Sequence, residues 1–332
     1  MSEILDMKKR REKKQKKEVK KRRSQLKKER KKKELLSTVT KPISYQSNLD
    51  VTGLSEVDKI SIPTSPLQFD GDESFVFFDL ETTSLKTTCD ILQIAAVCNF
   101  TFLKHYALPN CEISVEASKI TGITCSLAVN KMYVKGKEVP YKSQYEVLLI
   151  VIDFLKQPHK PVLVGHNISR FDIVIISNKL KEFGLFSTFK DIIKGYIDTL
   201  TVAKRVFPKT EVENYKQASL VMKFVGNSNE AHNAVEDVKS LKQLYEQEMK
   251  GKVNNNDLFS VSYSTCRATF DTLVKEKVIS GEICNRLSRN GISLLHLKAA
   301  LQRDPKRISA LLQTFKISSS KSEKNLVAFF CY

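Results

Sequence analysis

Short apolar runs and segments of helical spacing alternate between residues 75 and 250, a pattern typical of an α/β domain. Five short runs predict the strands of one sheet: Phe75–Leu80, Ile91–Phe100, Phe102–Leu108, Pro161–Val164 and Tyr196–Thr199. The first run is almost wholly apolar, as expected of a central strand buried on both faces. Four segments have the apolar spacing of amphipathic helices: Ser143–Leu155, Phe171–Phe183, Tyr215–Val225 and Ala234–Glu248. Residues 73–250 are therefore expected to form a mixed five-stranded sheet flanked by helices.

Both flanking regions have a different pattern. From Leu258 onwards the sequence holds short helical patterns and no strand signal, which predicts a small helical module over residues 256–332. The predicted helices are Thr269–Val278, Gly281–Leu287, Leu294–Leu301 and Pro305–Phe315. Residues 37–72 are rich in Ser, Thr and Pro and lack periodicity, so they are expected to be a linker.

The first 36 residues form a basic arm with 18 Lys or Arg against 6 Asp or Glu. Like charges three and four residues apart oppose helix formation, and no apolar face exists to dock the segment. We therefore expect residues 1–36 to be disordered. A tail that only aids solubility is the alternative to a nucleic-acid contact or a nuclear-localisation signal.

The charge distribution indicates a polyanionic partner. The chain has 332 residues and a net charge of +18, and residues 253–332 hold 12 basic against 6 acidic side chains. Basic segments bind nucleic acid by releasing its counterions, whatever its sequence. We therefore expect nucleic acid as the binding partner and the nucleus as the location of the protein. No membrane partner is expected, because no apolar run reaches the roughly 18 residues of a spanning helix.

Acidic residues follow two of the predicted strands. Asp79 and Glu81 end the first strand and, being two residues apart, point to the same side of the sheet. Asp172 begins the helix after the fourth strand, where ligand crevices of α/β sheets lie. Paired carboxylates near a buried strand end repel each other unless a cation lies between them, and Mg²⁺ suits such oxygen ligands. Each motif alone also has a purely structural explanation.

A third acidic motif contains His232 and Asp237. Five positions along one helix differ by roughly 140°, so the two side chains cannot share a helix face. We expect His232 in the loop before the helix and Asp237 within the helix, an arrangement in which both can reach one cavity.

These residues resemble the three motifs of the His-type DEDD (DnaQ-like) 3′–5′ exonucleases over roughly residues 74–250. The matching motifs are Asp79-x-Glu81, Asp172 and His232-x₄-Asp237, accompanied by Thr82-Thr83, His166-Asn167 and Asp198-Thr199-Leu200. The spacing in the second motif is similar to the three-prime repair exonuclease (TREX-like) branch. Ser84 departs from the pattern, since a glycine commonly follows the threonine pair.

The resemblance implies a ribonuclease-H-like fold and two-metal hydrolysis of the 3′-terminal phosphodiester. Two Mg²⁺ ions, or Mn²⁺ as a substitute, would be held by the carboxylates Asp79, Glu81, Asp172 and Asp237. His232 would accept the proton of the attacking water. The resemblance further implies that three residues contact the terminal nucleotide: Thr82, Leu85 and Asn167.

Other functions remain open at this point. A catalytically silent nucleic-acid-binding protein on a nuclease fold is the main alternative, although this chain retains all five motif residues. The C-terminal module could instead dock a partner protein. The sequence does not distinguish DNA from RNA, and single-stranded 3′ ends and a homodimeric state are expectations drawn from the resemblance.

Overall fold

The computed structural model describes residues 66–226, 234–303, 307–315 and 320–331. The predicted basic arm, most of the linker and His232 lie outside these ranges. Within them the chain forms the following strands: β1 (Phe75–Thr82), β2 (Ile91–Cys98), β3 (Thr101–Tyr106), β4 (Ile123–Ser126), β5 (Lys131–Val134), β6 (Lys137–Val139), β7 (Val162–Gly165), β8 (Gly195–Asp198) and β9 (Leu258–Phe259).

The main sheet is mixed and has the strand order β3-β2-β1-β7-β8-β9. Strand β1 is antiparallel to β2 and parallel to β7, and β8 is parallel to β7. The carboxyl ends of β1 and β7 therefore meet at one edge of the sheet, where ligands bind in open α/β folds. The five predicted strands and the mixed sheet are confirmed.

Helices cover both faces of this sheet. Those of the nuclease region are α1 (Val115–Thr121), α2 (Gln144–Leu155), α3 (Asp172–Glu182), α4 (Phe186–Ile192), α5 (Thr199–Val206), α6 (Gln217–Phe224) and α7 (Ala234–Leu244). Helices α2, α3 and α4 pack on the face of Val76 and Phe78, whereas α5, α6 and α7 pack on the face of Phe77. Helix α7 continues as a π-helical turn over Tyr245–Met249.

The sixth strand, β9, corrects the expectation that no strand follows residue 258. Its two residues pair antiparallel with β8, so that Tyr196 lies opposite Phe259. This approach requires a glycine at position 195, because a Cβ there would lie 2.5 Å from the carbonyl oxygen of Phe259. The segment after the nuclease region thus extends its sheet.

A small second sheet, β4-β5-β6, was not predicted. Its strands have three or four residues each, too short for a clear period-two pattern. Ile123 and Met132 pack with Leu92 of β2, and this contact attaches the small sheet to the main one.

The C-terminal region is helical, as predicted, with helices at α8 (Val261–Thr269), α9 (Asp271–Lys275), α10 (Gly281–Arg289), α11 (Leu294–Arg303), α12 (Arg307–Thr314) and α13 (Ser320–Cys331). The sequence analysis did not predict α8 or α13. Residues of this region form a core of their own that includes Phe270, Leu287 and Leu297. No helix in the described ranges combines the length and apolar character needed to cross a membrane.

Candidate metal centre

Three carboxylates from β1 and α7 converge at the edge of the sheet. Oxygen atoms of Asp79, Glu81 and Asp237 all lie within 4.8 Å of one another. Strand geometry places Asp79 and Glu81 on one face, and α7 packs on that face with Asp237 in its first turn. Gln217 of α6 donates its side-chain amide to the Asp237 carbonyl at 2.8 Å, which links α6 to the start of α7.

Asp172 joins the cluster from the other side of β1. It is 4% exposed, and its Oδ1 accepts a hydrogen bond from the backbone N–H of Leu80 at 3.1 Å. Leu80 lies between Asp79 and Glu81, so this bond fixes the start of α3 against the end of β1. The structure therefore brings together the four carboxylates that the sequence analysis selected.

The electrostatics of the cluster fit a divalent cation. Burial, reinforced by the charges of Asp172, Glu81 and Asp237, raises the pKa of Asp79 well above its usual range. Burial and the charges of Asp237 and Asp172 raise the pKa of Glu81 to about 8. Burial raises that of Asp172 to about 7, against the opposing effect of its backbone hydrogen bonds. Carboxylates that repel one another in this way, and that offer only acceptor oxygens, are suitable ligands for Mg²⁺ or Mn²⁺.

A tight loop between β7 and α3 carries the second motif. Asn167 has a φ of +60°, a left-handed conformation that asparagine tolerates better than most residues. His166 donates from Nε2 to the Tyr215 carbonyl at 2.9 Å, and its Nδ1 lies 3.0 Å from the Thr199 hydroxyl. These contacts explain the His-Asn pair structurally. Whether Asn167 also contacts a nucleotide stays a prediction.

Asp198 organises this loop, a role that sequence reasoning missed. Its carboxylate accepts hydrogen bonds from the backbone N–H groups of Asn167 at 3.0 Å, Ser169 at 3.3 Å and Leu200 at 3.0 Å. It also accepts from the Ser169 hydroxyl, and it caps α5. The available signal was the residue type, since aspartate is favoured at a helix N-cap, but the sequence analysis did not predict α5.

The turn after β1 contains the other two predicted nucleotide contacts. Thr82 is 6% exposed and donates its hydroxyl to the Ser84 carbonyl at 2.9 Å, which shapes the turn. Leu85, four residues after Glu81 in sequence, is 90% exposed. The geometry leaves Leu85 accessible to a ligand and gives Thr82 a structural role.

A buried ion pair supports the same turn and had no sequence signal. The Lys179 ammonium of α3 contacts the Asp90 carboxylate, and both side chains are less than 10% exposed. Asp90 also accepts from the backbone N–H of Asn110 at 2.6 Å, and its own N–H donates to the Thr83 hydroxyl at 3.1 Å. The pair therefore connects α3 with the residues that follow the first motif.

A second acidic group, Asp70, Asp72 and Glu73, lies within the described ranges. Its carboxylates form ion pairs with Lys160 and Lys194. These pairs attach the segment before β1 to the opposite edge of the sheet, so we assign the group a structural role.

Comparison with known proteins agrees with this geometry. A family model described as "Exonuclease" (RNase T) matches residues 76–245, just over half of the chain. A second model, described as "PML, C-terminal domain", matches residues 266–331.

Two similar proteins are named as DNA polymerase III proteins. The chain is 31% identical over 195 residues to the DNA polymerase III PolC-type of Caldanaerobacter subterraneus subsp. tengcongensis, which is 57% of this chain and 12% of that protein. It is 28% identical over 181 residues to the DNA polymerase III subunit epsilon of Treponema pallidum. The aligned region covers 52% of this chain and 74% of that protein.

Among solved structures, the zinc-bound E. coli ExoI–ssDNA complex has a TM-score of 0.45 and 16% identity. That similarity covers 61% of this chain and 45% of that one. The matched family model spans β1 to the end of α7, the region that holds all four carboxylates in the order of the motifs. The chain therefore belongs to the DEDD-type 3′–5′ exonuclease family.

Proposed function

We propose that this chain hydrolyses the 3′-terminal phosphodiester of nucleic acids and releases nucleoside 5′-monophosphates. The observation that carries the proposal is the convergence of four carboxylates at one edge of the sheet. They come from β1, α3 and α7, elements far apart in sequence. Such a costly arrangement of like charges fits a site that works with bound cations.

The carboxylates divide into two overlapping ligand sets. Asp79, Glu81 and Asp237 would hold one ion, since their oxygens lie within 4.8 Å of one another. Asp79 and Asp172 would hold the second ion, because Asp172 accepts a hydrogen bond from the backbone N–H of Leu80, the residue that follows Asp79. Two bound Mg²⁺ or Mn²⁺ ions would stabilise the attacking and leaving oxygens of an in-line displacement.

The remaining functional residues have narrower tasks. His232 accepts the proton of the attacking water in this proposal, and it belongs to the segment directly before α7, outside the described residues. Leu85 packs against the terminal base, a role that its exposure of 90% supports. In this proposal Thr82 and Asn167 also contact the terminal nucleotide, Thr82 in addition to shaping the turn through the Ser84 carbonyl.

Single-stranded 3′ ends are the proposed substrate. The basic arm, with 18 basic against 6 acidic side chains, would raise the local concentration of nucleic acid by counterion release. A nuclear location, a homodimeric state and placement in the TREX-like branch stay predictions of the sequence.

The test is a time course on matched oligonucleotides of DNA and RNA, labelled at the 3′ or the 5′ end, with Mg²⁺ or Mn²⁺. We expect shortening from the 3′ end that is lost in EDTA and in His232→Ala. Asp172→Asn should lose at least about a hundredfold in rate, because an amide is a much weaker metal ligand than a carboxylate.

Asp153→Asn is the matched control, since that carboxylate lies on the surface of α2 and pairs with Lys156. It should retain the wild-type rate. Oligonucleotides that stay intact but shift on a native gel would overturn the proposal in favour of a silent nucleic-acid-binding protein.

A further inference from the structure

The C-terminal helical region contacts the loop of the second motif through one serine. Ser264 of α8 is 2% exposed, and its hydroxyl donates to the Ser169 carbonyl at 2.7 Å. Ser169 lies between β7 and α3, three residues before Asp172. A residue outside the matched exonuclease region thus bonds directly to the loop that carries a candidate metal ligand.

Tyr196 of β8 determines the direction of this bond. The Tyr196 hydroxyl also contacts the Ser264 hydroxyl. A serine hydroxyl has a single proton, and in Ser264 that proton is used toward the Ser169 carbonyl. Tyr196 must therefore donate to Ser264, and burial raises the pKa of Tyr196, which keeps this donor protonated. The result is a directed chain of hydrogen bonds from Tyr196 through Ser264 to Ser169.

Ser169 is held from a second direction as well. Its backbone N–H donates to the Asp198 carboxylate at 3.3 Å, and its hydroxyl contacts the same carboxylate. Tyr196 and Asp198 lie two residues apart on β8. One strand therefore holds Ser169 twice, directly through Asp198 and indirectly through Ser264. Without Ser264, the Ser169 carbonyl and the Tyr196 hydroxyl both lose a partner.

An aromatic stack fixes the position of α8 relative to β8. The ring of Phe259 stacks on Tyr196 at 5.6 Å and contacts Tyr263 at 4.5 Å, both measured between ring centroids. The guanidinium of Arg289, on α10, lies 4.3 Å from the centre of the Phe259 ring. Because β9 also pairs with β8, Ser264 is placed by rigid elements.

We propose that Ser264 is a positioning residue for the exonuclease reaction, through which the C-terminal module holds the Asn167–Asp172 loop in its metal-binding geometry. This inference rests on the proposed function. It assigns the module a task in turnover, apart from any contact with nucleic acid. A ligand displaced by about 1 Å lowers catalysis strongly even when the fold is retained.

The test compares Ser264→Ala with the full-length wild type at 25 °C. We expect kcat to fall about tenfold, the effect of losing one buried hydrogen bond that orients a ligand. KM for the oligonucleotide should change by less than about twofold, because the module does not touch the substrate in this proposal. The Mn²⁺ concentration for half-maximal rate should rise, since Asp172 is held less firmly.

Hydrogen exchange of the metal-free protein gives a readout that needs no activity. Amides of residues 166–171 should exchange faster in Ser264→Ala, because their loop loses one of its two attachments to β8. Tyr196→Phe removes the donor at the start of the chain and keeps the ring stack, so it should shift kcat and exchange in the same direction. If Ser264→Ala does not fold, the kcat and loop exchange of Tyr196→Phe test the inference in its place.

Ser177→Ala is the matched control. Ser177 lies on α3 and is fully buried, and its hydroxyl has no hydrogen-bond partner among the residues that the structure describes. Its replacement should leave kcat and loop exchange unchanged. If the wild type is active, and Ser264→Ala and Tyr196→Phe both keep its kcat and its rate of loop exchange, this inference is overturned and the proposed function is not. An inactive wild type would overturn the proposed function, and the exchange comparison would still decide whether the module holds the loop.

Discussion

The carboxylate cluster should make the metal-free protein less stable as pH rises from 5 to 7. In the folded chain the pKa of Glu81 is raised from 4.5 to about 8, and that of Asp172 from 3.8 to about 7. Between these limits the folded form keeps protons that the unfolded form has lost. The free energy of unfolding therefore has its full value below about pH 4. It falls steadily as pH rises from the unfolded pKa values to the folded ones, and this loss is complete above about pH 7 to 8.

The size of the effect follows from proton linkage. Each proton retained only by the folded form changes the free energy of unfolding by about 1.4 kcal/mol per pH unit. We count one proton, because carboxylates in one cluster share their mutual repulsion. The predicted loss between pH 5 and 7 is then about 3 kcal/mol, a large part of the stability of an ordinary domain.

Urea denaturation in EDTA at pH 5, 6 and 7, followed by circular dichroism, measures this loss. Glu81→Gln is the reference, because it removes one of the cluster's charges. The buried His166, whose pKa is lowered by burial, acts in the opposite direction but equally in both proteins. The two proteins should be nearly equal at pH 5, and the variant should be more stable by about 3 kcal/mol at pH 7.

Millimolar Mg²⁺ should restore the free energy of unfolding of the wild type at pH 7, because bound cations neutralise the carboxylates as protons do at lower pH. The effect on Glu81→Gln should be smaller. A wild type that remains as stable as Glu81→Gln from pH 5 to 7, in EDTA, would refute the reasoning.

Four further substitutions test buried polar groups of the nuclease region. Asp198→Ala should lower the free energy of unfolding by about 3 kcal/mol in urea titrations, because three backbone N–H groups lose their acceptor; a loss below about 1 kcal/mol would contradict this. Lys179→Met leaves the Asp90 carboxylate buried without its ion-pair partner. The free energy of unfolding, measured by thermal unfolding, should therefore fall by about 3 kcal/mol, and the double variant with Asp90→Asn should recover most of that loss. Gln144→Leu should destabilise by about 2 kcal/mol, since its amide bonds the carbonyls of β2 and of the segment after β3. Gln93→Leu should be neutral or stabilising by the same assay, because its buried Nε2 has no hydrogen-bond partner within the described part of the chain; equal losses for the two glutamines would count against this explanation.

Strands buried in the middle of the sheet were predictable, because consecutive residues of such a strand are apolar. The run at β1 and the fully buried run at β2 can only be accommodated between two layers. Strands β4 to β6 and the two-residue β9 have no such signal. They exist because pairing with neighbours satisfies their backbone, and for β9 because Gly195 lets the chain approach.

The metal centre divides in the same way. The two-residue spacing of Asp79 and Glu81 places them together by strand geometry alone, and the order of the motifs selected Asp172 and Asp237. The roles of Asp198, Lys179 and Ser264 were not predicted, because they depend on which distant segments the fold brings to these residues. His232 remains a prediction.

The sequence by itself determined the α/β class, the buried strands and the four candidate metal ligands, since each depends on residue type and local spacing. Only the tertiary structure decided how the ligands are held. A carboxylate acquires its shifted pKa, and a loop its fixed shape, from burial and from partners that are distant in sequence. The Leu80–Asp172 and Ser169–Ser264 hydrogen bonds span 92 and 95 residues, and no local pattern records such contacts because they form only when the chain has folded.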